Sequence, residues 1–239
     1  MKMNIKIITS GSKGNCLIIN DGANPIMLEC GTPIAKIRRG LAPLSLADIS
    51  FCLVTHAHKD HSQSVPTILS MGIPSYMPLH TAESYGVDKD IDAVIVQPGN
   101  VIKDHGWTIW TINGIHDVPC IVYAGKSDNT GETFLFLADT AYIEQEIANV
   151  NYLITECNYD KKTMDRKVES GATNWSLAKR IMQTHMGLEN LITMIERNGT
   201  WKDSLKSIHI FHLSDTNADW QHCVNKIQEF IGIPVYRPI

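Results

Sequence analysis

The run His56-Ala57-His58-Lys59-Asp60-His61 places three imidazoles and a carboxylate within six residues, directly after an apolar stretch at 49–55. Neutral imidazole nitrogens and carboxylate oxygens suit zinc, iron or manganese, and a run without cysteine argues against a closed structural zinc site. In extended chain, residues two apart face the same side. His56, His58 and Asp60 therefore converge, while His61 points elsewhere unless the chain turns. Donors on both sides of a turn suit two adjacent ions.

One run cannot complete two sites, so further donors are expected at other strand ends. His116-Asp117 follows the alternating stretch 107–113, Asp139 follows the apolar stretch 133–137, and His212 ends the stretch 208–211. Taken alone, an Asp after a strand is usually a helix cap and a lone His a satisfied surface or core residue. Their order after the histidine run gives them weight.

The elements that must position these residues can be read from hydrophobic period and turn chemistry. Apolar, β-branched runs predict strands at 5–8, 16–19, 26–29, 49–55, 93–96, 107–113, 120–123, 133–137, 151–156, 208–213 and 235–236. Gly11-Ser12-Lys13-Gly14-Asn15 reads as the turn of the first hairpin, and 126–131 as another turn. Helices are predicted at 33–41, 62–70, 142–150, 174–183, 188–196 and 219–231, with Pro33 in a first turn and Thr140 as an N-cap. Many strands with interspersed helices and no strict βαβ alternation indicate an α+β or αββα layering in one domain over 1–239.

The whole pattern resembles the metallo-β-lactamase superfamily, whose H-x-H-x-D-H run is followed by His, Asp and His at later strand ends. The resemblance covers nearly the whole chain and implies a four-layer αββα sandwich. It implies that His56, His58 and His116 hold one metal ion, that Asp60, His61 and His212 hold a second, and that Asp139 bridges both. Glu29 stands where the superfamily commonly carries Asp. A narrower likeness, to the WalJ/YycJ branch, is carried by Ser10-Gly11-Ser12-Lys13-Gly14-Asn15-Cys16, His116-Asp117, Glu156-Cys157-Asn158-Tyr159-Asp160 and His212-Leu213-Ser214. Thr184-His185-Met186-Gly187-Leu188-Glu189-Asn190 lies where that branch has a Gly-His-Leu-Ser-Asn segment; the His and the final Asn agree. The branch is associated with exonuclease action on DNA. No residues remain for the inserted domain of the β-CASP nucleases or the flavin domain of flavodiiron proteins.

These readings set the expected chemistry. Two divalent ions, zinc before manganese or iron, keep about one net positive charge once Asp60, Asp139 and a bridging hydroxide are counted, which favours an anionic group such as a phosphodiester. The expected function is phosphodiester hydrolysis, with DNA or RNA ends as substrate; the alternative is hydrolysis of a thioester, lactone or β-lactam. Asp60 and His185 are expected to serve catalysis, and Lys13 and His185 to touch substrate. Asp117, Glu156, Asn158 and Asp160 are candidates for ordering ligands and loops. The basic stretches 36–39 and 161–167 either follow a nucleic-acid backbone or are solvated faces.

Composition sets the frame. The 239 residues are 44% hydrophobic and 19% charged, with a formal net charge of -4 and a pI near 6.2, so overall charge lends nucleic-acid binding no support. The six cysteines form no C-x-x-C pair and read as reduced, buried thiols. The N-terminal residues enter a strand pattern without an apolar leader, and no apolar stretch reaches membrane-spanning length. A cytoplasmic setting without membrane association is expected, and the sequence leaves the oligomeric state open.

Overall fold

The computed structural model describes residues 2–212 and 217–237. It divides into two compact units, Met1–Asn113 with Val118–Glu132, and Gly114–Asp117 with Thr133–Ile239.

The first unit contains β1 (Asn4–Thr9), β2 (Cys16–Asn20), β3 (Ile26–Leu28), α1 (Ile34–Leu41), β4 (Cys52–Leu53), α2 (Lys59–Ser62) and α3 (Val65–Leu69). It continues with β5 (Ser75–Met77), α4 (Leu79–Ser84), β6 (Ala93–Ile95), β7 (Val101–Asp104), β8 (Trp107–Asn113) and β9 (Ile121–Ser127). Strands β1 to β6 lie side by side in chain order. The first two pairings are antiparallel and the next three parallel. Strands β7, β8 and β9 pair antiparallel. The inner residues Cys16, Ile18, Met27, Cys52 and Val54 pack with Ile37 and Leu41 of α1 and Val65 and Ile68 of α3. Full burial of each large aliphatic side chain there contributes about 1.5–3 kcal/mol.

The second unit contains β10 (Thr133–Leu137), β11 (Tyr152–Glu156), α5 (Lys161–Glu169), α6 (Trp175–Thr184), α7 (Leu188–Arg197), α8 (Trp201–Ser204), β12 (Ser207–Phe211), α9 (Trp220–Ile231) and β13 (Val235–Tyr236). These four strands run parallel in chain order. Every residue of β11 is buried, as expected of a central parallel strand covered on both faces.

The structure corrects several expectations. The stretch 49–55 forms ladder pairs only at Cys52 and Leu53. The stretch 62–70 divides into α2 and α3, and Pro33 is the N-cap of α1 rather than part of its first turn. No helix forms at 142–150. There the Thr140 hydroxyl accepts from Ile115 N at 2.7 Å and donates to Tyr142 O at 3.0 Å. Ile147 N donates to Asn198 Oδ1 at 3.0 Å, and Trp201 Nε1 to Ile147 O at 2.5 Å. Tertiary partners thus take the backbone groups that a helix this short would struggle to satisfy alone. Strands β5 and β7 and helices α4, α5 and α8 are additional. The six cysteines are reduced and buried. No described helix is long and apolar enough to cross a membrane.

Candidate functional site

In the first unit the histidine run does not continue as extended chain. His58 caps α2, whose first turn is closed by His61 N and Ser62 N donating to His58 O at 2.9 and 3.1 Å. This turn brings His61 back towards His56, with ring centroids 4.2 Å apart, while His58 lies 4.7 Å from His56. The turn therefore gathers the histidine that extended geometry would send away.

Two sequence segments clamp that turn through their backbones. Asn15 N donates to Asp60 O at 2.7 Å, Cys30 N to His61 O at 2.9 Å, and Gly31 N to Asn15 O at 2.9 Å. A Cβ at Gly31 would stand 1.7 Å from Asp60 O, so only glycine admits this approach. Gly14, at φ +132, has the same relation to Gly31 O at 2.3 Å. Gly31 is thus set by contact with the main chain of the histidine run, and Gly14 by contact with Gly31.

A buried carboxylate orients two of the imidazoles. The Thr55 hydroxyl donates to Glu29 Oε1 at 2.5 Å, so its oxygen accepts from His56 Nδ1 at 2.9 Å. That hydrogen bond selects the tautomer in which His56 Nε2 carries the lone pair. His61 Nδ1 lies 3.4 Å from the same Glu29 oxygen. Burial pushes the Glu29 carboxyl above its usual range, partly offset by His61 and Thr55. Glu29 itself sits at φ 61. The longer acid in place of Asp therefore still reaches ligand-type histidines. Lys13, expected at substrate, is exposed on the hairpin turn, with no polar partner among the described residues.

In the second unit the donors come from far apart in sequence. The loop bearing His116 is tied to the one after β10, since Ala141 N donates to Ile115 O at 3.2 Å. His116 Nδ1 donates to Thr184 O at 3.0 Å, which leaves Nε2 as the ligand-type nitrogen. Burial holds His116 below its usual pKa despite Asp139, favouring the neutral ring that binds metals. Its Nε2 lies 3.8 Å from Asp139 Oδ2 and 3.1 Å from Asp117 Oδ1. Asp117 is held in turn by Arg180 at 2.6 Å.

Glu156, fully buried at the end of β11, organises the rest. Its Oε1 accepts from Thr140 N at 3.0 Å and Met186 N at 2.9 Å, and its Oε2 lies 2.9 Å from His185 Nδ1. His212 Nδ1 is 3.5 Å from Glu156 and 3.0 Å from Asp139. One donor atom from each of Asp139, Glu156, His185 and His212 lies within 4.8 Å of the others. Burial works against ionisation of Glu156, but the charge of His185 beside it keeps its pKa below the usual value. Burial likewise opposes charge on His185, but Glu156 outweighs it and raises the pKa. The buried carboxylate therefore favours the protonated form of His185. Asn158 Nδ2 reaches both partners at 3.4 Å. Asp160 instead caps α5, accepting from Thr163 N at 2.8 Å. Leu213 and Ser214 lie outside the described residues.

Backbone strain collects on the same groups. Among the described non-glycine residues with positive φ are Glu29 at 61°, Asp139 at 43° and His212 at 51°. Each immediately follows a strand or lies two residues beyond its end, and each costs about 1–3 kcal/mol relative to relaxed backbone. Sequence reasoning gave no sign of this strain. It also missed Thr55 as a relay and Arg180 as the partner of Asp117; a Thr directly before a histidine run was the available clue.

No family model matches the chain. A metallo-β-lactamase fold protein, YhfI from Bacillus subtilis, superposes with a TM-score of 0.76 at 17% identity, covering 100% of this chain and 97% of that one. This chain has the metallo-β-lactamase fold. The human short-form tRNase Z is also similar, at TM-score 0.65 and 13% identity over 98% of this chain and 95% of its own. In sequence, the exodeoxyribonuclease YycJ of Bacillus anthracis is 22% identical over 236 residues, spanning 91% of this chain and 84% of that protein. The donor chemistry fits the divalent ions that the resemblance implies. His56 and His116 are held through Nδ1 with Nε2 as the ligand-type nitrogen, and buried carboxylates stand beside His61, His185 and His212.

Proposed function

We propose that this protein is a metal-dependent phosphodiesterase acting at the ends of DNA or RNA strands. The observation that carries this reading is His185 held by buried Glu156 at 2.9 Å beside Asp139 and His212. It places an imidazole bonded to a buried carboxylate next to metal-type ligands, an arrangement suited to proton donation to an oxygen leaving group of an anionic substrate. The likeness to an exodeoxyribonuclease along most of both chains supports the choice of nucleic acid.

The ligand assignment is the one the resemblance implies: His56, His58 and His116 would hold one ion, Asp60, His61 and His212 the other, and Asp139 would serve both. Bound there, two divalent ions would supply Lewis acidity and lower the pKa of a water nucleophile. The chain's own residues do the rest. Glu29 and Thr55 fix the ring of His56, and Thr184 O fixes that of His116. Glu156 holds the proton on His185 Nδ1, which leaves Nε2 as the nitrogen that would serve a departing oxygen.

Assaying a bis-aryl phosphodiester, end-labelled single-stranded DNA and RNA, a thioester and a cephalosporin side by side tests the reading. Turnover of the diester and of strand ends is expected. Rapid thioester or lactam hydrolysis by the fully metallated protein, with no nucleic acid cleaved, would overturn it.

A further inference from the structure

Helices α5 and α6 carry charge opposite in sign to the chain as a whole. Residues 161–180 hold the cations Lys161, Lys162, Arg166, Lys167, Lys179 and Arg180 and only two acids, Asp165 and Glu169, in a protein of formal charge -4. The sequence reads 161–167 as a bare basic stretch; the structure makes it a helix packed on another. Met164 of α5 and Ala178 of α6 are buried together with Tyr159, and Val168, Ile181 and Met182 pack around them. That apolar seam turns Lys161, Lys162, Arg166, Lys179 and Arg180 to solvent. Lys167 is half-buried and bonded to Asn217 Oδ1 at 2.9 Å, and Arg180 is held by Asp117 at 2.6 Å.

Trp175, the first residue of α6, is 59% exposed on the helix that also carries the exposed Lys179 and Arg180. Elsewhere in the same unit Trp201 is fully buried, with its indole N–H bonded to Ile147 O, so the unit does not lack places to enclose an indole. An open aromatic face beside several cations is what a single nucleic-acid strand recognises: its bases stack and its phosphates are neutralised. The other end of α6 is capped by His185. Ten helical residues at 1.5 Å each put the two ends about 15 Å apart, roughly four stacked nucleotide steps of 3.4 Å.

We infer that the exposed α5–α6 face is a track for single-stranded nucleic acid, with Trp175 stacking on a base and Lys161, Lys162 and Lys179 contacting phosphates on the way to His185. The inference rests on the phosphodiesterase reading and adds how a strand is held. Two properties follow. Substrates shorter than about five nucleotides end before Trp175 and should be indifferent to it, whereas longer ones should not. Each lysine that neutralises a phosphate should steepen the salt dependence of single-strand binding by about 0.7 in log–log slope.

The test measures equilibrium binding to the metal-loaded protein of a labelled phosphorothioate oligothymidylate and oligouridylate of about 12 nucleotides, whose linkages resist cleavage. Trp175→Ala is expected to weaken binding by about 5- to 150-fold, the range for one lost base stack, and Trp175→Phe to restore most of it. Lys161→Ala with Lys162→Ala should lower the salt slope by about 1.4. Hydrolysis of bis(p-nitrophenyl) phosphate should be unchanged in all three variants. Equal affinity of wild type and Trp175→Ala for the oligonucleotides would overturn the track, as would binding to anionic vesicles but not to oligonucleotides. Failure of the wild type to hydrolyse any phosphodiester would instead overturn the parent reading, while the binding comparison would still decide the track.

Discussion

The two units build their donor sets in opposite ways. In the first, four ligand-type side chains lie within six consecutive residues, and main-chain contacts from Asn15, Cys30 and Gly31 hold them as a block. In the second, His116, Asp139, Glu156, His185 and His212 come from separate strand ends and loops, and one carboxylate, Glu156, joins Asp139's neighbours His185 and His212. The local set has backbone fit as well as the buried Glu29 to hold it, whereas the dispersed set relies on the buried charge of Glu156. The two should therefore fail differently: the first through geometry and stability, the second through chemistry.

The largest effect is expected in the second unit. His185→Ala should slow cleavage of end-labelled DNA by roughly 10²–10⁴-fold, as for loss of a general acid, with metal content unchanged. Loss of bound metal together with activity would make His185 a ligand, and normal cleavage would remove it from the mechanism.

Next comes Glu29 in the first unit. Glu29→Gln should weaken metal binding by about 10–100-fold, because it disturbs the orientation of both His56 and His61. Competition titration with a chelating dye would measure this. Unchanged affinity would mean that the backbone clamp alone positions the rings.

Gly31→Ala probes that clamp. The added Cβ meets main-chain atoms of Asp60, so a stability loss of about 1–3 kcal/mol or more is expected from denaturant unfolding. A loss no greater than that of an exposed Gly→Ala change would show that the turn carrying the histidines yields easily.

Asp160→Ala should have the smallest effect, about 1 kcal/mol, from loss of the α5 cap. Burial raises the Asp160 carboxyl, but the Asp219 and Thr163 backbone donors outweigh it, leaving the folded pKa below the usual value. Its contribution should therefore be complete above an unfolded-state pKa of about 3.9 and fade as pH falls through the lower folded value. Unfolding curves of the two proteins across that window should converge on the acid side.

Much of the candidate site was legible because ligand chemistry is written in residue type. The H-x-H-x-D-H run and the residues His116, Asp139 and His212 each stand beside a strand or the loop after one, as the pattern implied. Glu156 and Asp160 were also visible as candidates, though only the structure separates the buried organiser from the helix cap. What escaped depended on contacts between distant segments. The apolar spacing at 142–150 suggested a helix, but Asn198 and Trp201 claim its backbone. The paired residues of β4 stop at Cys52 and Leu53, although Ser50 N still donates to Pro25 O and Val54 N to Tyr76 O, a limit that no period reveals. The turn that returns His61 to His56 is fixed by Gly31 and Asn15, residues whose own neighbourhood says nothing of histidines.

The central claim, a phosphodiesterase that works with two divalent ions, is tested most directly by elemental analysis of the purified protein paired with diester hydrolysis before and after chelation. The account predicts close to two divalent ions per chain, loss of hydrolysis when they are removed and its return when zinc or manganese is restored. A chain that holds no metal, or whose diester hydrolysis is untouched by complete chelation, would contradict it.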